Sequence, residues 1–282
     1  MRKSLTYLML AFVFVAVFAL YMIVVQGRVD TRPPEIVFDG AMLELSAKAA
    51  DEAYLQGVRA TDDKDGDVTA SLVVESIKLL GSDGTIRITY AAFDSAGNVR
   101  KALRTARYTD YERPRFFLSR SLTFAYNSGF DLFNIVRAED ALDGNISHRV
   151  RITSMDESAI ANVGVHQVQL RVTNSLGETV QLVVPVEVYP AGTYGANLTL
   201  TDYLIYLPVG AQLDAERFLH TYIRGSVKVP LQDGVPQGCM LQMKNDVQTD
   251  VPGVYTVEYR VSQTVGQETY TGYAKLIVVV EG

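Results

Sequence analysis

From about residue 34 onward, apolar and polar positions alternate with a period of two, and turn residues interrupt the alternation roughly every 8–12 positions. In the segment 84–97, GTIRITYAAFDSAG, the apolar set is Ile88, Tyr90 and Ala92. The segments 164–177, GVHQVQLRVTNSLG, and 253–266, GVYTVEYRVSQTVG, repeat the pattern with Val168, Leu170 and Val172, and with Val257, Tyr259 and Val261. A period of two with one apolar face predicts a strand buried on one side, so Arg87, Thr89, Glu258 and Arg260 should face water. Each block holds two glycines 13 residues apart and ends in a turn, at 94–98, 174–178 and 263–267. Glycine at the fourth place predicts a type I turn followed by a left-handed residue. Closing strands are then expected over Val99–Tyr108, Thr179–Tyr189 and 269–280. Helical periodicity is weak throughout this region; 214–222 is the best candidate for a single helical turn.

A second similarity sits at a longer period. VRATDDKDGDVT at 58–69 matches VRAEDALDGNIS at 136–147, a shift of 78 residues. The segment Ala60-x-Asp62-x-x-Asp65-Gly66-Asp67-Val68-Thr69, followed by a strand and then Phe93-Asp94-Ser95-Ala96-Gly97-Asn98, resembles the bacterial immunoglobulin-like repeats of cell-surface proteins and crystal-toxin relatives. The match is close over 34–110. Over 111–190, Asn174 and Glu178 replace Asp and Asn. Over 196–281 the Asp-Gly segment is missing, and Arg224-Gly225-Ser226 is a poor substitute. The expected fold is all-β: three tandem immunoglobulin-like β-sandwich modules, at 34–110, 111–190 and 196–281 (the third divergent), after one N-terminal transmembrane helix. The resemblance implies a stalk, adhesion or carbohydrate-proximal role and transfers no catalytic residue.

The N-terminus departs from this pattern. From Leu5 to Val25 the chain carries 21 residues without a charge, behind Arg2 and Lys3. At about 1.5 Å per residue, a helix of that length matches the roughly 30 Å hydrocarbon core of a bilayer. The expectation is a cytoplasmic stub at 1–4, a single-pass signal-anchor at 5–25, a linker at 26–33 ending in Arg32-Pro33-Pro34, and modules outside the cell, as the positive-inside rule favours. The alternative is secretion after cleavage near Val25-Gln26-Gly27, with a soluble form starting near Arg28.

Composition narrows the chemistry. A net charge of -6 and a pI near 5.2 argue against a nucleic-acid partner. Cys239 is the one cysteine and tryptophan is absent, so neither an intrachain disulfide nor the Cys…Trp…Cys core of an antibody domain can form. Cys239 reads as a buried structural thiol or as half of an intermolecular disulfide. His148 and His166 fall in the module at 111–190 and His220 in that at 196–281, none with a partner at ligand spacing, and no nucleophile elbow, zinc-protease helix or phosphate loop is present. No enzyme and no cofactor is expected. For metal, Asp62, Asp63, Asp65 and Asp67 crowd around Gly66, a set that could take calcium; the alternative is a metal-free turn in which Asp62 or Asp65 caps backbone N–H groups. Arg100, Lys101, Arg104 and Arg107 form either an edge-protecting run or a contact for an anionic wall polymer. The tyrosines of 196–281 and Tyr194 divide between core and a recognition face. Two uses remain: a membrane-anchored extracytoplasmic binding or adhesion protein that meets a glycan or protein partner, and a non-binding spacer or envelope-complex subunit.

Overall fold

The computed structural model describes residues 2–26, 30–40, 42–129, 131–154 and 162–282, with side chains described except at 2–6, 23–26 and 154. The chain divides into two compact units, Met1–Tyr111 and Glu112–Gly282.

The first unit opens with the helix Arg2–Gln26. Its described side chains, from Tyr7 to Met22, are apolar on every face and exposed to solvent. Among the described residues, however, no helix is long and apolar enough to cross a membrane. The expected span at 5–25 is therefore not met. The described part of the run, 7–22, falls short of the ~20 apolar residues a bilayer requires. Leu5, Thr6 and the side chains of 23–25 lie outside the described residues, as do residues 27–29, where the cleavage alternative falls.

After the helix, the first unit is a β-sandwich. Glu35–Phe38, Val58–Asp62 and Gly66–Asp67 form one antiparallel sheet. Leu43–Leu45, Val99–Tyr108, Thr85–Phe93 and Val73–Leu79 form the other. Ile86, Ile88, Tyr90 and Ala92 point inward from the second sheet and are fully buried, as the period of two requires. The Phe38 ring meets the Tyr90 ring across the core at 5.6 Å, so the two sheets face each other. Tyr90 donates its hydroxyl to the Tyr54 carbonyl at 2.7 Å, which satisfies the polar tip of a buried ring.

The second unit starts with a sandwich of the same plan. Arg115–Leu118, Val136–Asp140 and Gly144–Asn145 face a sheet of Arg151–Ser154, Gly164–Thr173, Thr179–Tyr189 and Thr123–Ala125. Residues 196–281 depart from it. Ala196–Leu200, Leu204–Pro208, Leu219–Arg224, Val227–Pro230, Cys239–Asn245, Gly253–Val265 and Glu268–Glu281 make a single seven-stranded sheet. The 14-residue strand Glu268–Glu281 joins what are two separate sheets elsewhere, pairing with Ala196–Leu200 near its start and with Leu204–Pro208 near its end. One device recurs in all three assemblies: a short early strand lies parallel to the closing strand, Leu43 opposite Ala106, Thr123 opposite Glu187 and Leu204 opposite Ile277.

The two halves of the second unit share one hydrophobic cluster, from Phe116 through Val186 to Val280. Arg115 pairs with Glu281, and the Tyr206 hydroxyl accepts from the Phe116 N–H. Lys275, almost wholly buried, pairs with Glu187.

The turns follow the glycines. Gly97 and Gly177 take left-handed φ of 85° and 86°, and each N–H donates to the carbonyl three residues back. The third turn differs from expectation. Gly253–Val265 runs on to pair Val265 with Glu268, leaving a two-residue loop at Gly266-Gln267 instead of a five-residue one. At 214–222 the helical content is the short 3-10 turn Glu216–Phe218, which leads straight into a strand.

Candidate functional site

The four aspartates around Gly66 do not converge. Asp62 ends its strand, and its Oδ1 accepts from the N–H groups of Lys64 and Asp65 at 2.8 and 3.0 Å. These bonds, that of Asp65 foremost, hold its carboxyl below the ordinary aspartate value. Asp63 pairs with Arg32 at 2.8 Å. Asp65 reaches across to the 94–98 turn and accepts from the Ser95 N–H and hydroxyl, at 2.6 and 2.9 Å. Asp67 accepts from the Thr69 N–H at 2.9 Å. All four thus accept from protein donors, Asp62 through its Oδ1 alone.

Asp62 instead meets Asp30 and Asp94, neither of which the sequence pattern marked as a metal ligand. One carboxylate oxygen from each of Asp30, Asp62 and Asp94 lies within 4.8 Å of the others. Asp30 Oδ1 accepts from the Arg32 N–H and lies 3.6 Å from Lys64 Nζ. Asp94 accepts from the Asn98 N–H and side-chain amide, at 2.8 and 2.7 Å. Asp62 is 9% exposed, and its Oδ2 is buried with no hydrogen-bond partner. The second sandwich resolves the same position differently. Asp140 repeats the turn, accepting from Leu142 and Asp143, but its Oδ2 receives the Asn174 amide at 3.1 Å. Asn174 stands where Asp94 stands in the first sandwich. That one difference between matched turns is the signal that could have found the cluster.

A second feature lies on the outer face of the second sandwich. Arg149, Arg151, Thr153, Arg171 and Thr173 line an open groove of about 390 Å³. Arg151 and Arg171 are direct partners on adjacent strands. Ile152, Leu170 and Val172 turn the opposite way, into the core. Arg149 is held by Asp143 at 2.6 Å. Like charges directly opposite one another on a sheet repel, and Arg151 donates to the His148 and Val150 carbonyls at 3.0 and 2.9 Å while Arg171 stays opposite it.

The other candidates resolve as structural. Arg104 is buried, bonded to Asp39 and the Gln56 carbonyl and stacked over Phe38; Lys101 pairs with Glu75; Arg100 and Arg107 are exposed. Among the tyrosines, Tyr203, Tyr222, Tyr259 and Tyr273 are buried, and Tyr194, Tyr206, Tyr255 and Tyr270 are half-buried. Each meets a protein partner: Tyr222 the Tyr270 carbonyl, Tyr259 the Ala215 carbonyl, Tyr273 the Glu187 carboxylate, and Tyr194 the rings of Tyr189 and Tyr273. Burial pushes the Tyr206 hydroxyl up to about 12. These rings build the divergent sheet and do not form an open face. Cys239 is half-buried, and burial raises its thiol, which lowers its reactivity. His148 and His220 are exposed, and the half-buried His166 meets the Asn162 carbonyl at 2.9 Å.

No family model matches this chain. An 81.3 kDa protein of Acholeplasma phage L2 is 30% identical over 164 residues, which covers 52% of this chain and 21% of the phage protein. Similar solved structures include the CBM51-2, in complex with GlcNAc, and INT domains of Clostridium perfringens ZmpB, at 15% identity and TM-score 0.23. That match covers 88% of this chain and 41% of the other. The protocadherin GammaB4 extracellular domain matches at 12% identity and TM-score 0.21, over 89% of this chain and 51% of that one. This chain therefore spans about a fifth of the phage protein and about half or less of these structures. Such scores carry no argument; the sandwich architecture stands on its own strand pairings.

Proposed function

We propose that this chain is an extracellular, non-enzymatic binding protein whose immunoglobulin-like modules meet an anionic glycan at the arginine groove of the second sandwich. The observation that carries this is the pairing of Arg151 directly opposite Arg171, with Arg149 beside them, on a protein of net negative charge. Guanidinium groups match carboxylate and sulfate geometry, and the threonine hydroxyls add neutral hydrogen bonds suited to sugar hydroxyls. In this proposal the helix Arg2–Gln26, apolar on every face over its described side chains at 7–22, associates with the cell membrane and keeps the modules there.

One observation favours the spacer use: the second and third assemblies share a core and are clamped by Lys275–Glu187, which suits a stiff element. A glycan array probed with residues 30–282 separates the two. Retention on uronate- or sulfate-bearing glycans, with none on neutral ones, supports binding at the groove. No retention on any glycan favours the spacer. Removing residues 2–26 should release the chain from the membrane fraction; continued sedimentation would reject the tether.

A further inference from the structure

We infer that Asp30, Asp62 and Asp94 form a calcium site that ties the segment before the first strand to the end of the first sandwich. The site is independent of the arginine groove. Three carboxylate oxygens within 4.8 Å of one another fit around a cation whose oxygens sit at about 2.3–2.6 Å, because two such ligands lie at most about twice that distance apart. Proximity of acidic groups alone would not make a site. The second, separate observation is the orphaned Asp62 Oδ2, in a carboxylate nine-tenths buried. Its Oδ1 is already committed to the turn, so Oδ2 is the atom left to face the cluster. A buried carboxylate oxygen left without a partner is costly, and proteins seldom leave one so.

The second sandwich supplies the control within the same chain. There the residue at the Asp94 position is Asn174, and its amide fills the matching oxygen of Asp140. An N–H donor closes one turn; a second carboxylate stands in its place in the other. With Asp94 and Asp30 facing Asp62, a cation supplies what the amide supplies elsewhere. Lys64 places an ammonium beside the three, 3.6 Å from Asp30 and 46% exposed, and three carboxylates outweigh it. Arg32 is engaged by Asp63. Backbone oxygens and water complete the shell. Calcium suits an irregular, carboxylate-rich shell, whereas magnesium demands near-octahedral geometry and holds its water.

The test is calorimetric titration of the full chain in detergent, after dialysis against chelator, with calcium chloride. Thermal unfolding is followed in parallel in calcium and in chelator at matched ionic strength. The expected result is one calcium bound per chain and an unfolding midpoint several degrees higher in millimolar calcium. Asp94→Asn should weaken calcium binding at least tenfold while its midpoint in chelator equals or exceeds that of the unaltered chain, because the new amide caps Asp62 as Asn174 caps Asp140. Asp30→Asn, outside the strands, should also weaken binding at least tenfold and covers the case of a misfolded Asp94 variant. No bound calcium, a shift reproduced by sodium chloride or equally by magnesium, or undiminished binding by a folded variant would each overturn the assignment.

Discussion

In the first unit, Asp67 and Asp83 accept hydrogen bonds within their own turns, from Thr69 and Thr85, and Asp110 accepts from the Ala47 N–H and the Ser46 hydroxyl, far away in the sequence. Each carboxyl is held below the ordinary value of 3.8 by these bonds. A group whose folded value is depressed stabilises above its unfolded value and loses that contribution as pH falls through the folded one. Urea midpoints for the first unit should therefore hold steady down to about pH 4 and then fall toward pH 2. A midpoint that stays flat or rises over that range would contradict the assignment. The sequence made the crowding of Asp62, Asp63, Asp65 and Asp67 visible, but not their separate fates. Asp65 meets Ser95 thirty positions later and Asp62 meets Asp30 thirty-two positions earlier, and only the folded sandwich brings these together.

At the scale of elements, strands and turns were the most legible layer. The inward triads 88, 90, 92; 168, 170, 172; and 257, 259, 261 are all buried, because a period of two on one face leaves a strand a single register. Two things escaped the pattern. Of the positions expected to face water, Thr89 is half-buried beside Ser76, and Glu258 and Arg260 are half-buried because Lys275 and Tyr273 pack beside them. The joining of the third assembly's two sheets also escaped, because it depends on Gly272 lying 3.1 Å, by the position a Cβ would take, from the Asn197 backbone. Turn glycines offer a direct check. Gly84 has φ 82°, and a Cβ there would come within 2.9 Å of the Tyr108 carbonyl and 2.8 Å of Tyr111 Cβ. Gly84→Ala should destabilise the first unit by about 2–3 kcal/mol, from left-handed strain plus the clash. Gly97→Ala, where nothing lies within 4 Å, should cost about 1 kcal/mol. Equal losses in chemical denaturation would remove the steric part of this account.

Over the molecule as a whole, the boundary near Tyr111 separates two units, while the second and third assemblies share a core that the sequence, read as three tandem modules with the third divergent, did not announce. The reason is physical: Phe116, Tyr206, Glu187 and Lys275 sit in ordinary strand positions, and nothing in their spacing marks them as partners. Lys275 bonds Glu187 and lies 3.8 Å from Glu258. Lys275→Ala leaves two poorly solvated carboxylates without their cation and should cost roughly 2–3 kcal/mol, less than a fully buried pair because both glutamates keep some solvent. Adding Glu187→Gln should recover part of the loss; no recovery would place the cost elsewhere.

The proposed function rests on the arginine groove, and one substitution addresses it with two opposed readouts. Arg171→Glu turns the cross-strand repulsion with Arg151 into attraction, worth roughly 0.2–1 kcal/mol in favour of the fold. The decisive measurement is binding of this variant and the unaltered chain to the same anionic polysaccharide, alongside their thermal midpoints. The account predicts a midpoint equal to or above that of the unaltered chain together with a loss of binding of at least tenfold. A variant that folds as well and binds as tightly would contradict it.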